Sequence, residues 1–83
     1  MKNFKELRTW QKGMEIATKS YRLVGDFPNS EKFTLASQIT KCAVSIPANI
    51  AEGSSRSSDK DYKRFLEIAL GSAFELETHI LIA

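Results

Sequence analysis

The sequence predicts an all-α domain of three amphipathic helices, on three observations. Apolar residues recur at steps of three and four through three separate stretches. Residues that cap and end helices stand between those stretches. The composition, 42% hydrophobic and 27% charged over 83 residues, is that of one ordinary globular domain and not of a disordered chain. The predicted domain is residues 1–83, with helices over 5–24, over 30–52 with a kink near Pro47, and over 59–83.

In the first stretch Leu7, Trp10, Met14, Ala17, Tyr21 and Val24 form one stripe, which Ile16 and Leu23 widen. Asn3 with Glu6, or Thr9, is the expected N-cap. Gly25 fits a left-handed C′ position and Pro28 follows it, so the helix should stop there.

Asn29 or Ser30 is the expected cap of the second helix, with Glu31 in its first turn suiting the helix dipole. Leu35, Ile39, Cys42, Ala43, Ile46 and Ile50 supply its stripe. Pro47 lacks an amide hydrogen and its ring opposes the carbonyl of Ala43, which predicts a kink or pause. Gly53 should end the helix, and Ser54 to Ser58, with Arg56 among them, read as a flexible loop.

Ser58, with Asp61 three residues later, has the form of a capping box for the third helix. Tyr62, Phe65, Ala69, Ala73, Leu76 and Ile80 make its main stripe. Leu66, Leu70, Phe74 and Leu81 add a second, adjacent one, so this helix needs neighbours on two sides. Its apolar last turn, Ile80 to Ala83, carries no stop signal, which predicts a covering element from further chain or from a partner subunit. Gly13 and Gly71 inside helices each cost about 1 kcal/mol against alanine. Close approach between helices is the expected compensation for both.

Several classes of function are disfavoured. A single cysteine, Cys42, forms no internal disulfide and reads as a small buried apolar residue in a reducing compartment. The charged first ten residues do not resemble a secretory signal, and no apolar run approaches the length of a membrane span. A cytoplasmic location and no membrane partner are therefore expected. The lone histidine, His79, has no serine or cysteine in a nucleophile-elbow context beside it, and the glycines are too scattered for a phosphate loop. Enzymatic activity, a small-molecule substrate and a cofactor are not expected. Glu75 and His79 stand four apart on one helical face, but a di-iron bundle needs two such motifs and two more glutamates, so no metal is assigned and a surface hydrogen bond is the simpler reading.

The net charge of +2 is unevenly distributed. Arg8, Lys12 and Lys19 contribute to a basic first helix, and Arg56, Lys60, Lys63 and Arg64 cluster about the serine-rich stretch. These seven are the candidate nucleic-acid-binding residues. Against them, Asp59–Lys63 and Lys63–Glu67 have the spacing of ordinary helix pairs, which would make the cluster a solvated face.

Ser45-Ile46-Pro47-Ala48-Asn49-Ile50-Ala51-Glu52-Gly53 resembles the signature of the four-helix-bundle proteins encoded in 23S rRNA intervening sequences. Phe4, Leu7 and Trp10, Phe27-Pro28 and Gln38 before it are similar to that family. So is the stretch from Phe65 to Ser72, with Glu75, after it. A related branch is the accessory protein of diversity-generating retroelements. The resemblance implies an antiparallel up-down four-helix bundle, here represented by three helices with the fourth missing. It also implies ring-shaped homo-oligomers, pentamers in known cases, with RNA or a nucleoprotein as partner. Ser45, Pro47, Asn49, Glu52 and Gly53 of the signature are expected to be structural. Asn49 and Glu52 are suited to satisfying backbone groups freed by Pro47 or capping the adjoining loop, and Ser45 to bonding back to the Lys41 carbonyl. The function expected is a non-enzymatic helical-bundle adaptor bound to RNA through basic patches. The alternative is a purely structural oligomerisation module that binds no nucleic acid.

Overall fold

A computed structural model describes residues 3–31 and 34–83, Glu31 by its backbone only. Three α-helices form and no strand is present among the described residues: α1, Arg8–Gly25; α2, Leu35–Ser54; and α3, Asp59–Ile82. The body is elongated, 44 × 19 × 17 Å. α3, whose 24 residues span about 36 Å at the usual rise per residue, accounts for most of that length.

A 3₁₀ turn, Phe4–Glu6, precedes α1. Asn3 caps that turn, not α1, its Oδ1 accepting from the Lys5 amide at 3.2 Å. The turn is clamped onto α1 by Gln11 Nε2 donating to the Lys5 carbonyl at 3.0 Å and by an edge-to-face contact of Phe4 on Trp10. At the far end Gly25 is the last helical residue and has no positive φ, so the left-handed cap predicted for it is not used. Asp26 instead closes the helix in right-handed conformation, its amide bonding the Leu23 and Val24 carbonyls.

Asn29 and Ser30 belong to a short 3₁₀ turn, Asn29–Glu31, and do not cap α2, which starts at Leu35. Residues 32–33 of the predicted second helix, like Met1 and Lys2, lie outside the described residues. Pro47 does not interrupt α2: the helix is continuous to Ser54 and Pro47 is buried. Most of the serine-rich stretch, residues 55–58, is the loop between α2 and α3, as expected, and its serines cap the helix on either side. Ser54 and Ser55 hydroxyls donate to the Ala51 and Glu52 carbonyls, each at 2.7 Å, which uses acceptors left over at the end of α2. Three residues on, Ser58 Oγ accepts the Asp61 amide at 3.1 Å and starts α3.

The core is drawn chiefly from α2: Ile39, Cys42, Ala43, Ile46 and Ile50, with Ala17 from α1 and Ala69 and Leu76 from α3. Ile39 is fully enclosed. Helix α2 packs on both neighbours, whereas α1 and α3 barely touch one another. The buried edge of α1 is not the stripe of largest side chains. Gly13, Ala17 and Ser20 face inward, while Met14 and Tyr21 stay exposed. Small residues win because they let α1 approach α2: a Cβ on Gly13 would stand 3.3 Å from Ile46 Cγ2 and from the Pro47 backbone. Gly71 differs, having open space around it, so close approach does not account for it.

Candidate functional site

Three features of this frame bear chemistry: a groove, a line of polar side chains and a set of cations. The groove is floored by Ile46 and Ile50 of α2, with Gly13 and Ile16 of α1 on one side and Leu66 and Leu70 of α3 on the other. It holds about 440 Å³, and a second hollow of about 230 Å³ shares Ile16, Ile46 and Ala73 and extends it to Leu81. Around it the second stripe of α3 is left in solvent, with Leu70 55%, Phe74 62% and Leu81 79% exposed. So large an apolar surface is more than a small monomeric domain ordinarily leaves in water.

The polar line runs along the α2–α3 seam. Cys42, Ser45 and Asn49 step by three and four along α2, as do Ser72, Glu75 and His79 along α3. Ser45 Oγ and Ser72 Oγ share a hydrogen bond of 2.7 Å. Asn49 Nδ2 donates to Ser45 Oγ at 2.9 Å and to the Ser45 carbonyl at 2.8 Å. Ser45 thus bonds across the seam and not back to Lys41, and Asn49 bonds the Ser45 carbonyl and not the one freed by Pro47. Glu52 accepts from Arg56 at 3.4 Å at the end of α2.

Gly53 of the signature sits where no side chain fits. A Cβ there would stand 2.7 Å from Phe65 Cβ and 3.0 Å from Tyr62 Cδ1. Pro47 is likewise part of a packing surface, the one that receives Gly13.

Cys42 is buried and unoxidised, but it is not merely apolar: its Sγ donates to Glu75 Oε1 at 2.6 Å. Burial first, and then the Glu75 carboxylate, push the thiol up to about 11. At neutral pH it is therefore a thiol and a poor nucleophile. Glu75 takes its bond from this thiol and not from His79. Sequence reasoning paired Glu75 with His79 but missed Cys42, because only the register of α2 on α3 brings it there.

Among the seven candidate cations, two are held by acids. Lys19 bonds Glu15 at 3.1 Å, and that bond and charge lower the Glu15 carboxyl below its ordinary value, with Lys12 adding a smaller charge effect. Arg56 pairs with Glu52 and also lies 4.8 Å over the Phe65 ring, which Arg64 approaches at 5.0 Å. Among the described residues, the other five have no acid within 4.0 Å: Arg64, which rests on the Phe65 ring, and Arg8, Lys12, Lys60 and Lys63. The Asp59–Lys63 and Lys63–Glu67 pairs expected from spacing do not close. Arg8 and Lys12 line the groove opposite Leu66 and Leu70, so the start of α1 lies beside the second and third turns of α3.

These features define an all-helical protein whose distinctive residues, from Ser45 to Gly53, lie where α2 meets both neighbours. The family model of the 23S rRNA-intervening sequence protein matches residues 5–83, and the chain belongs to that family. No curated protein matches it. No helix is long and apolar enough to cross a membrane among the described residues.

Proposed function

We propose that α1–α3 form part of an antiparallel, up-down four-helix bundle that assembles into a homo-oligomeric ring, a pentamer on the family resemblance. It serves as a non-enzymatic cytoplasmic adaptor for RNA or a ribonucleoprotein. Contacts between the helices support the antiparallel order. Along the α2–α3 seam Gly53 meets Phe65, Ser45 meets Ser72 and Cys42 meets Glu75, so numbers fall on one helix as they rise on the other. Gly13 near Ile46, and Val24 near Ala36, give the same order for α1 and α2. The groove between α1 and α3 has the place and apolar lining for a fourth helix.

The observation that carries the RNA reading is the set of free cations, Arg8, Lys12, Lys60 and Lys63, in the first two turns of α1 and α3. Four such charges bind a polyanion weakly in one subunit. A ring repeats them about its axis and multiplies the effective affinity. The neutral Cys42 thiol, with no activated nucleophile beside it, supports a binding role over a catalytic one.

Binding to structured RNA at rising salt tests this. Affinity should be measurable at about 50 mM salt and fall steeply with salt, with a slope reduced by roughly one for each phosphate-contacting cation replaced by glutamine. No binding at that salt, or binding indifferent to salt, overturns it. The exposed Leu70, Phe74 and Leu81 favour a second reading, an oligomerisation module that binds protein alone. That reading expects a ring mass by light scattering with no RNA binding. A monomer overturns both.

A further inference from the structure

We infer that Cys42, Glu75 and His79 form a binding site for one transition-metal ion of the zinc type, set across the seam of α2 and α3. One ligand atom from each, the Cys42 sulfur, a Glu75 carboxylate oxygen and a His79 ring nitrogen, lie within 4.8 Å of one another. A tetrahedral zinc site places its ligand atoms about 3.3–3.6 Å apart, given bonds of about 2.0 Å to nitrogen and oxygen and about 2.3 Å to sulfur. Cys42 Sγ and Glu75 Oε1, now 2.6 Å apart across a shared proton, would move apart as the ion takes that proton's place, and the longer separations would shorten. The α-helical backbones beneath them already hold the i, i+4 spacing on α3 and the facing position on α2.

The donor set decides the kind of ion. Thiolate, imidazole and one carboxylate suit zinc and its neighbours, whereas magnesium and calcium take oxygen donors. Cys42 is buried, His79 half-buried and Glu75 exposed. The sulfur thus anchors the ion on the protein side, while the exposed carboxylate leaves a path of entry and room for a water as fourth ligand. The present hydrogen bond from Cys42 to Glu75 is what such a site does with a proton in place of a metal. Binding replaces that proton: the sulfur–hydrogen bond breaks, sulfur–metal and carboxylate–metal bonds form, and the proton leaves to buffer.

Cobalt titration of the reduced, metal-stripped protein without oxygen tests the inference. Wild type should take one Co²⁺ per chain, with a thiolate-to-cobalt charge-transfer band and the visible bands of a tetrahedral ion, and Zn²⁺ should displace it. Cys42→Ser should lose the charge-transfer band. Glu75→Gln and His79→Gln should each weaken binding tenfold or more, at least the range seen for partners outside the coordination sphere. Circular dichroism checks that each variant keeps its helices. Should Cys42→Ser fail to fold, His79→Gln at its half-buried position still decides. No charge-transfer band in the wild type overturns the site, as does a wild-type band and affinity unchanged by His79→Gln.

Discussion

Where α2 meets α1, the surfaces that touch are small: Gly13, Ala17 and Ser20 against Ile46, Pro47 and their neighbours. Where α2 meets α3, the middle of the seam is polar, with Ser45 on Ser72, Asn49 on Ser45 and Cys42 on Glu75. The first seam is set by shape, a notch at Gly13 that admits the Pro47 backbone. The second is set by direction as well, since a hydrogen bond fixes which residue lies opposite which. Apolar contact alone tolerates sliding by a turn, whereas these bonds break if α3 shifts along α2. α3 is the longest helix and the one with most apolar surface still in water. It is therefore the one whose register most needs specifying.

The largest expected effect comes from Gly53, where the α2–α3 seam is closer than the α1–α2 seam is at Gly13. Gly53→Ala puts a methyl against Phe65 Cβ and the Tyr62 ring, neither of which is the free end of a flexible chain. The helices must part, at a cost of about 2–3 kcal/mol for so short an approach, of which better helix propensity returns about 1. A net loss of about 1–2 kcal/mol in urea unfolding is expected. Gly71→Ala, in open space on α3, is the control and should stabilise by up to about 1 kcal/mol. Equal effects at both glycines would show that the close approach at Gly53 is not real.

A smaller effect tests the polar half. Ser45→Ala removes a hydroxyl that bonds Ser72 and accepts from Asn49, and should cost about 1 kcal/mol. In a double-mutant cycle with Ser72→Ala the two losses should be less than additive, with a coupling of about 0.5 kcal/mol or more. Additive losses would mean that each serine acts alone and that register is set by packing.

The periodicity of apolar residues was sufficient to read the three helices, and Ser58 to place the start of α3, because both depend on neighbours within one turn. The buried face of α1 was not legible in the same way. Met14 and Tyr21 carry the larger side chains, but Gly13, Ala17 and Ser20 win the interface by letting two backbones come together. Hydrophobicity does not record that gain. The start of α2 is not legible either, because it lies beyond a 3₁₀ turn, whereas its end falls one residue past Gly53, where Ser54 and Ser55 add caps. Of the site, the groove could be foreseen from the second stripe of α3. The meeting of Cys42 with Glu75 and His79 could not, since it joins residues 33 positions apart through the register of two helices.

The smallest effect separates surface charge from either seam. Lys19 and Glu15 pair on the outer side of α1, both exposed, and the lysine's bond and charge hold the Glu15 carboxyl below its ordinary 4.5. A carboxyl lowered in the folded state adds stability above that ordinary value. The contribution is lost as pH falls through the lower, folded value, so its window is acidic and it is fully present at neutral pH. Between exposed partners the gain is small and fades with salt. In Lys19→Ala the Glu15 titration followed by NMR should move up toward 4.5, with neutral-pH stability changed far less than in Gly53→Ala or Ser45→Ala. An unmoved titration would mean that the pair does not persist in solution and that Lys19 joins Arg8, Lys12, Lys60 and Lys63 as a cation free to meet a polyanion. The RNA salt slope should then also drop on its replacement, whereas a paired Lys19 leaves that slope as it is.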